Sequence, residues 1–242
     1  MDRQDSRLKK GPNFRGLVVI VWTVFSTILY GTVCIFVSLM SRKLARMIAR
    51  LWNLHLMGVA GIKVVVTGKE KLDKNKRYVF VSNHQSGLDI PILYIGLSEK
   101  ISFIAKKELF MIPVFGWGLY FVGHIWIDRG NARKAHRSIE NAVKRLKKDN
   151  VSLILFPEGT RSKDGKVAPF KQGSFALAQK AGVCVVPVAI TGALGLLPKH
   201  SVFVNPGVVH LEIGDPVEVL PDMSKADMAE KFHQIIKDAV EG

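Results

Sequence analysis

The chain has 242 residues, with 35 lysines and arginines against 20 acidic residues for a net charge of +15, and 48% of it is hydrophobic. That apolar share excludes a disordered chain, and the length allows one good core or two small ones, not an array of domains. The charge excludes indifference to anions but does not choose among nucleic acid, anionic lipid and a phosphorylated substrate.

Residues 1–200 hold 32 basic and 12 acidic groups, and residues 201–242 hold 3 and 8, so the basic excess belongs to the body of the protein. The two cysteines, Cys34 and Cys184, sit inside apolar runs. They fit structural thiols in a reducing compartment.

Residues 17–40 are uncharged and long enough, as a helix, to cross a hydrocarbon core of roughly 30 Å. The run is too long for the apolar core of a cleaved signal peptide, and Ser41-Arg42-Lys43 follows it in place of a small-residue cleavage site. Basic residues stand on both sides, so charge gives no orientation. This pattern favours a re-entrant or interfacial helix that bends near Gly31, with a single span as the alternative. From residue 41 to about 56, Leu44, Met47, Ile48 and Leu51 recur on one face and Arg42, Arg46 and Arg50 on another. The expectation is a basic amphipathic helix in the headgroup layer, its arginines on the phosphates of anionic membrane lipid.

After Gly61, short β-branched runs alternate with helical patterns. Strands are expected at 62–67, 77–82, 101–105, 124–127, 151–156, 183–190 and 208–213, and helices at 90–97, 132–147, 173–181 and 225–239. This is an α/β pattern: a largely parallel mixed sheet flanked by helices. Residues 1–60 are read as a membrane-associated helical segment and 61–242 as one α/β domain. Met111, Phe115, Trp117, Tyr120 and Phe121 are assigned to core packing, with the roof of an apolar groove as the alternative.

The polar signals lie where strands give way to loops. His84 and Asp89 are five positions apart, about 140° on a regular helix, so they can meet only across a bend. Gly87 offers that bend, and Pro91 suits the first turn of the next helix. A carboxylate that takes one imidazole N–H fixes the tautomer and leaves the other nitrogen free to accept a proton. The residues alone leave open a histidine in a turn and an aspartate capping a helix. After the strand at 151–156, Glu158-Gly159-Thr160-Arg161-Ser162 offers backbone N–H groups, hydroxyls and a bidentate cation, which suits a phosphate or an ordinary polar turn.

Taken in order, Asn83 to Asp89, Gly123 to Arg129, Phe156 to Ser162 and Val186 to Ile190 resemble the four blocks of the glycerolipid acyltransferase family, on the branch that acylates 1-acylglycerol 3-phosphate. The resemblance runs from about residue 72 to 191. It implies that His84 is the general base, that Asp89 orients it, and that an acyl thioester, acyl-CoA or acyl carrier protein, is attacked directly by the free hydroxyl of lysophosphatidate to give phosphatidate. It implies a phosphate site of Glu158, Gly159, Thr160 and Arg161 with Lys106 and Arg129, Pro187 on the acyl or thioester side, no metal and no cofactor. It also implies a bacterial inner membrane, with the catalytic domain on the cytoplasmic side. Other lysophospholipids remain alternative acceptors.

A non-catalytic basic module docking on membranes is the competing class. It leaves the His/Asp pair without a purpose. Nucleic acid is not expected, because the aromatic residues fall in apolar runs and not among the basic ones. Deleting residues 1–60 is expected to yield a soluble or poorly active chain; a fragment that still pellets fully with membranes overturns the anchor assignment.

Overall fold

The structure is a computed structural model that describes residues 13–97, 100–127, 132–199, 201–220 and 222–242, with side chains of the fifth helix from residue 137 onward. Seven strands form one sheet: β1 (Ile62–Thr67), β2 (Val79–Ser82), β3 (Ile101–Lys106), β4 (Ile125–Ile127), β5 (Ser152–Leu155), β6 (Val185–Thr191) and β7 (Gly207–Ile213). Their order is β1-β7-β6-β2-β5-β3-β4. Every pairing is parallel except β6 with β7, which is antiparallel from Val188↔Ile213 to Thr191↔His210. The expected mixed α/β sheet is present.

Side chains alternate across β2, and each face has its own core. Phe80, Val186, Val188 and Leu211 meet Ile92 and Leu93 of α3 (Asp89–Gly96) and Met57 of α2 (Arg42–Ala60). On the other face Val79, Val81, Leu153 and Val185 meet α5 (Ala132–Lys148), α6 (Ala176–Ala181) and α8 (Lys225–Glu241) through Leu146, Leu177 and Phe232. The result is a helix–sheet–helix sandwich. The chain leaves β2 toward β3 on one side and leaves β5 toward β6 on the other. The two connections cross, and the loops after β2 and β5 leave these adjacent strands toward opposite faces, to α3 on one and α6 on the other, the place where open α/β sheets form a crevice.

α1 (Phe14–Met40) is unbroken through Gly31, which corrects the expected bend there. Gly31 serves close packing: a Cβ on it would stand 2.9 Å from Val114 Cγ1, at the entrance of α4 (Phe115–Val122). The reversal comes at Ser41, which ends α1 and caps α2 by accepting the N–H of Leu44. Both ends of α1 touch the rest of the fold, through Asn13 bonded to Val204 and through Cys34 packed with Ala45 and Val122. The helix therefore lies along the domain.

α2 turns most of its arginine row inward, not toward lipid as expected. Leu44, Met47, Leu51 and Leu54 are exposed, whereas Arg46 is buried and Arg50 half-buried. Arg46 Nε donates to Val122 O (3.2 Å), and Arg50 donates to Tyr94 O (3.2 Å) and Ile95 O (3.4 Å). Those carbonyls end α4 and α3, where helices lack internal donors and favour a cation. Arg42, Arg46 and Arg145 also converge on Asp149, just past the end of α5, at 3.3 to 3.7 Å. Most of this row thus caps the domain and leaves the expected lipid-phosphate contact without its main residues. The core assignment near α4 is corrected too, since Met111, Trp117 and Tyr120 are more than half exposed. They extend the apolar surface of α1.

His124 is fully structural. Its Nδ1 accepts the N–H of Phe103 (3.1 Å), so Nε2 carries the proton and donates to Tyr94 Oη at 2.7 Å. Burial, reinforced by the charges of Arg46 and Arg145, pulls its pKa down to about 3. The unfolded histidine titrates near 6.5, so between the two values the folded chain binds fewer protons. Stability from this group is complete above that upper value and is lost as pH falls, at about 1.4 kcal/mol per unit. Urea unfolding at about pH 7.5 and about pH 5 is expected to differ by about 2 kcal/mol on this account. In His124→Gln the difference should shrink by that amount.

Candidate active site

β2 ends in Ser82, and the next residue locks the loop to a neighbouring strand. Asn83 donates through Nδ2 to Ile190 O and accepts Ile190 N–H at Oδ1, both at 2.8 Å, which ties the ends of β2 and β6. The chain then turns through 84–88 and enters α3 at Asp89, with Pro91 in the first turn as expected. Asp89 is completely buried. Its Oδ2 accepts His84 Nδ1 at 2.6 Å, Gln85 N at 2.8 Å and Ser86 N at 2.9 Å. The turn that brings the two residues together is therefore built on the carboxylate it carries.

The loop after β5 encloses His84 from the other side. The His84 N–H donates to Glu158 Oε1 (2.7 Å), and its carbonyl accepts the N–H of Ser162 (2.7 Å). The imidazole stacks on Phe156 with centroids 4.1 Å apart and planes 19° from parallel. With Nδ1 on Asp89, Nε2 is the ring nitrogen left without a protein partner among the described residues, and the side chain keeps 21% of its surface exposed. This ring is fixed in place, fixed in tautomer, and open at one atom.

The other predicted residues divide. Arg161 lies over the loop: its Nη1 is 3.7 Å from where a Cβ on Gly87 would stand. Gly159 has φ 75°, the left-handed region that favours glycine, and its N–H donates to Phe156 O. Thr160 is exposed beside it. Lys106 is exposed at the carboxyl end of β3, two strands from β2, about 10 Å across the sheet. Glu158 is buried, with Oε1 on His84 N and Oε2 on Ala168 N. Burial pushes its carboxyl above the ordinary range, against the pull of those two N–H groups. Its geometry is that of a strut between loops.

Pro187 lies in mid-β6, opposite Val81 and against Gly214, and its carbonyl accepts the Gly214 N–H (2.9 Å) just after β7 ends. Its missing N–H thus falls where the sheet pairing has lapsed. Arg129 lies outside the described residues. Lys199 was not singled out in the sequence, yet its Nζ donates to Thr160 Oγ1 (2.9 Å) and Arg161 O (3.0 Å). It comes from a loop 38 positions further along, and no local spacing marks it.

The crevice holds an oriented imidazole, open at one ring nitrogen, beside a glycine- and arginine-bearing loop. The chain belongs to the acyltransferase family: the family model described as Acyltransferase matches residues 63–191, just over half of the chain. It is 30% identical to a 1-acyl-sn-glycerol-3-phosphate acyltransferase of Haemophilus influenzae over 85% of this chain and 84% of that protein, and 32% identical to one of Saccharomyces cerevisiae over 92% and 76%. A chloroplastic protein of that name from Brassica napus is 35% identical over 80% of this chain. The chain spans about half the length of such plant and algal relatives, 58% of the Brassica protein and 49% of a Chlamydomonas reinhardtii one. The crystal structure of a 1-acyl-sn-glycerophosphate acyltransferase, PlsC, from Thermotoga maritima superposes with a TM-score of 0.80 at 33% identity, covering 94% of this chain and 95% of that one.

The strut yields a prediction. Glu158→Gln keeps one acceptor oxygen but turns an NH₂ group toward the other backbone N–H, leaving a buried donor unsatisfied at a cost of about 2 kcal/mol. Its melting temperature is expected to fall by about 4–8 °C as the His84 loop loosens. An unchanged melting curve counts against the strut.

Proposed function

We propose that the protein transfers an acyl group from a thioester, acyl-CoA or acyl carrier protein, to the free hydroxyl of 1-acylglycerol 3-phosphate, giving phosphatidate. The observation that carries this reading is the His84–Asp89 contact of 2.6 Å beside the Arg161 loop. The names of the bacterial and yeast relatives support the acceptor.

In this mechanism His84 Nε2 takes the proton of the acceptor hydroxyl as its oxygen attacks the thioester carbonyl. Asp89 stabilises the imidazolium that forms, a general-base contribution on the order of 10²- to 10⁴-fold. The tetrahedral intermediate expels the thiolate, which takes the proton back from His84. The cycle balances with no acyl-enzyme. Arg161, with Gly159 and Thr160, holds the acceptor phosphate; Lys106 and Arg129 add charge around it, and Pro187 is left on the thioester side of the sheet. The acceptor has two anionic oxygens or more, and a guanidinium can meet two of them at once.

The apolar outer surface of α1, α2 and α4 supports placement in a membrane interface, where the lysolipid resides. We assign this to the cytoplasmic face of a bacterial inner membrane. A helix tied to the domain at both ends suits one leaflet better than a full crossing.

His84→Ala is expected to lower kcat by about 10³-fold with the KM for lysophosphatidate within about threefold, measured with labelled acceptor and acyl-CoA in detergent. Substantial residual turnover removes His84 as the base. Arg161→Ala is expected to raise the acceptor KM by at least about tenfold; a fall in kcat alone removes it as the ground-state phosphate ligand.

A further inference from the structure

We propose that Lys199 is a positioning and specificity-determining residue of the acceptor site, holding the Thr160–Arg161 peptide and adding the second positive charge that favours a phosphomonoester over a phosphodiester headgroup. This rests on the reading of Arg161 as the cation that meets the acceptor phosphate.

Lys199 is held by the loop between α7 (Ala193–Leu196) and β7. That loop is fastened to the catalytic turn, since Ser86 Oγ donates to Leu197 O at 2.7 Å and Ser86 N already serves Asp89. Two residues later the ammonium reaches the opposite loop. An ammonium has three N–H donors, and here Thr160 Oγ1 and Arg161 O take two of them. One short segment therefore bridges the loop that carries the base and the loop that carries the phosphate arginine, and it fixes the distance between them.

The charge count gives the second half. Among the described residues, no carboxylate lies within ion-pair distance of Arg161 or Lys199. Two cations from different loops meet here, and among the described residues neither has a carboxylate partner. Lysophosphatidate carries a terminal phosphate of nearly two negative charges at neutral pH, as other phosphomonoesters do, and a diester carries one. The second cation gains more from the first kind of headgroup than from the second. Lys199 also sits on the segment whose Val204 is bonded to Asn13 at the start of α1, so the bridge stands next to the surface from which a lysolipid would enter.

The test uses the full chain in detergent micelles, with acyl-CoA saturating and two acceptors, lysophosphatidate and the diester lysophosphatidylglycerol. Where the diester is not turned over, its inhibition constant replaces KM. Lys199→Met is expected to raise the value for the monoester about tenfold and for the diester no more than about threefold, with kcat falling less than KM rises. Lys199→Arg, which keeps the charge and the donors, is expected to return the monoester value to within about threefold of the parent.

Equal rises for both acceptors, or a loss confined to kcat and the melting temperature, make Lys199 a tether only and overturn the specificity claim. No change in either overturns the whole proposal. If Lys199→Met does not fold, Lys199→Arg still decides, because a discrimination ratio that falls to unity there contradicts a charge-based role. Arg161→Ala separates the two readings: no rise in acceptor KM in that variant defeats the phosphate assignment itself, whereas a rise there with none in Lys199→Met defeats only this inference.

Discussion

One oxygen holds the site together. Asp89 Oδ2 is sealed from solvent and accepts from His84 Nδ1, Gln85 N and Ser86 N. A buried carboxylate is tolerated only when donors surround it, and three of them here come from the five residues that precede it. The aspartate also occupies the first turn of α3, where the helix presents its positive end. The donors to Oδ2 and the imidazole it orients come from the same turn, so neither can be altered alone; Oδ1, also buried, has no hydrogen-bond partner among the described residues.

Strand order determines what faces that turn. Because β2 lies between β6 and β5, its loop meets one neighbour through the Asn83 clamp and the other through Glu158, Phe156 and Ser162. The histidine is gripped at its N–H, its carbonyl, one ring nitrogen and one ring face. Little conformational freedom remains to the ring, which is the structural meaning of preorganisation. The loop from β5 contributes rigidity with its buried half and charge with its exposed half. Glu158 and Arg161, three positions apart, therefore do different work.

Much of this was legible in the sequence, and the exceptions have physical causes. The strands were marked by β-branched runs, and all seven lie within two residues of the ranges read from them. The His/Asp pair was marked by position before a helix start. The antiparallel β6–β7 pairing was not, because strand direction depends on the connection and not on composition. α4 was hidden by its own apolarity: Phe115, Trp117, Tyr120 and Phe121 read as core when the comparison is with water, although Trp117 and Tyr120 face outward. The arginine row of α2 misled for the same reason. Its periodicity was correct, but periodicity does not say which face meets protein when the outside is not water. Lys199 was invisible because its partners lie 38 and 39 positions away.

α2 carries one more consequence. Its buried face caps the ends of α3 and α4 and contributes Met57 and Ala60 to the same core as Leu211, while its outer face is left apolar. Folding and partition into an amphiphile are then linked equilibria. A lipid or detergent that covers the outer face binds the folded chain and not the unfolded one, and so acts thermodynamically as a ligand. The free energy of unfolding of this protein is not a property of the chain alone; it is a function of the chemical potential of the surrounding amphiphile.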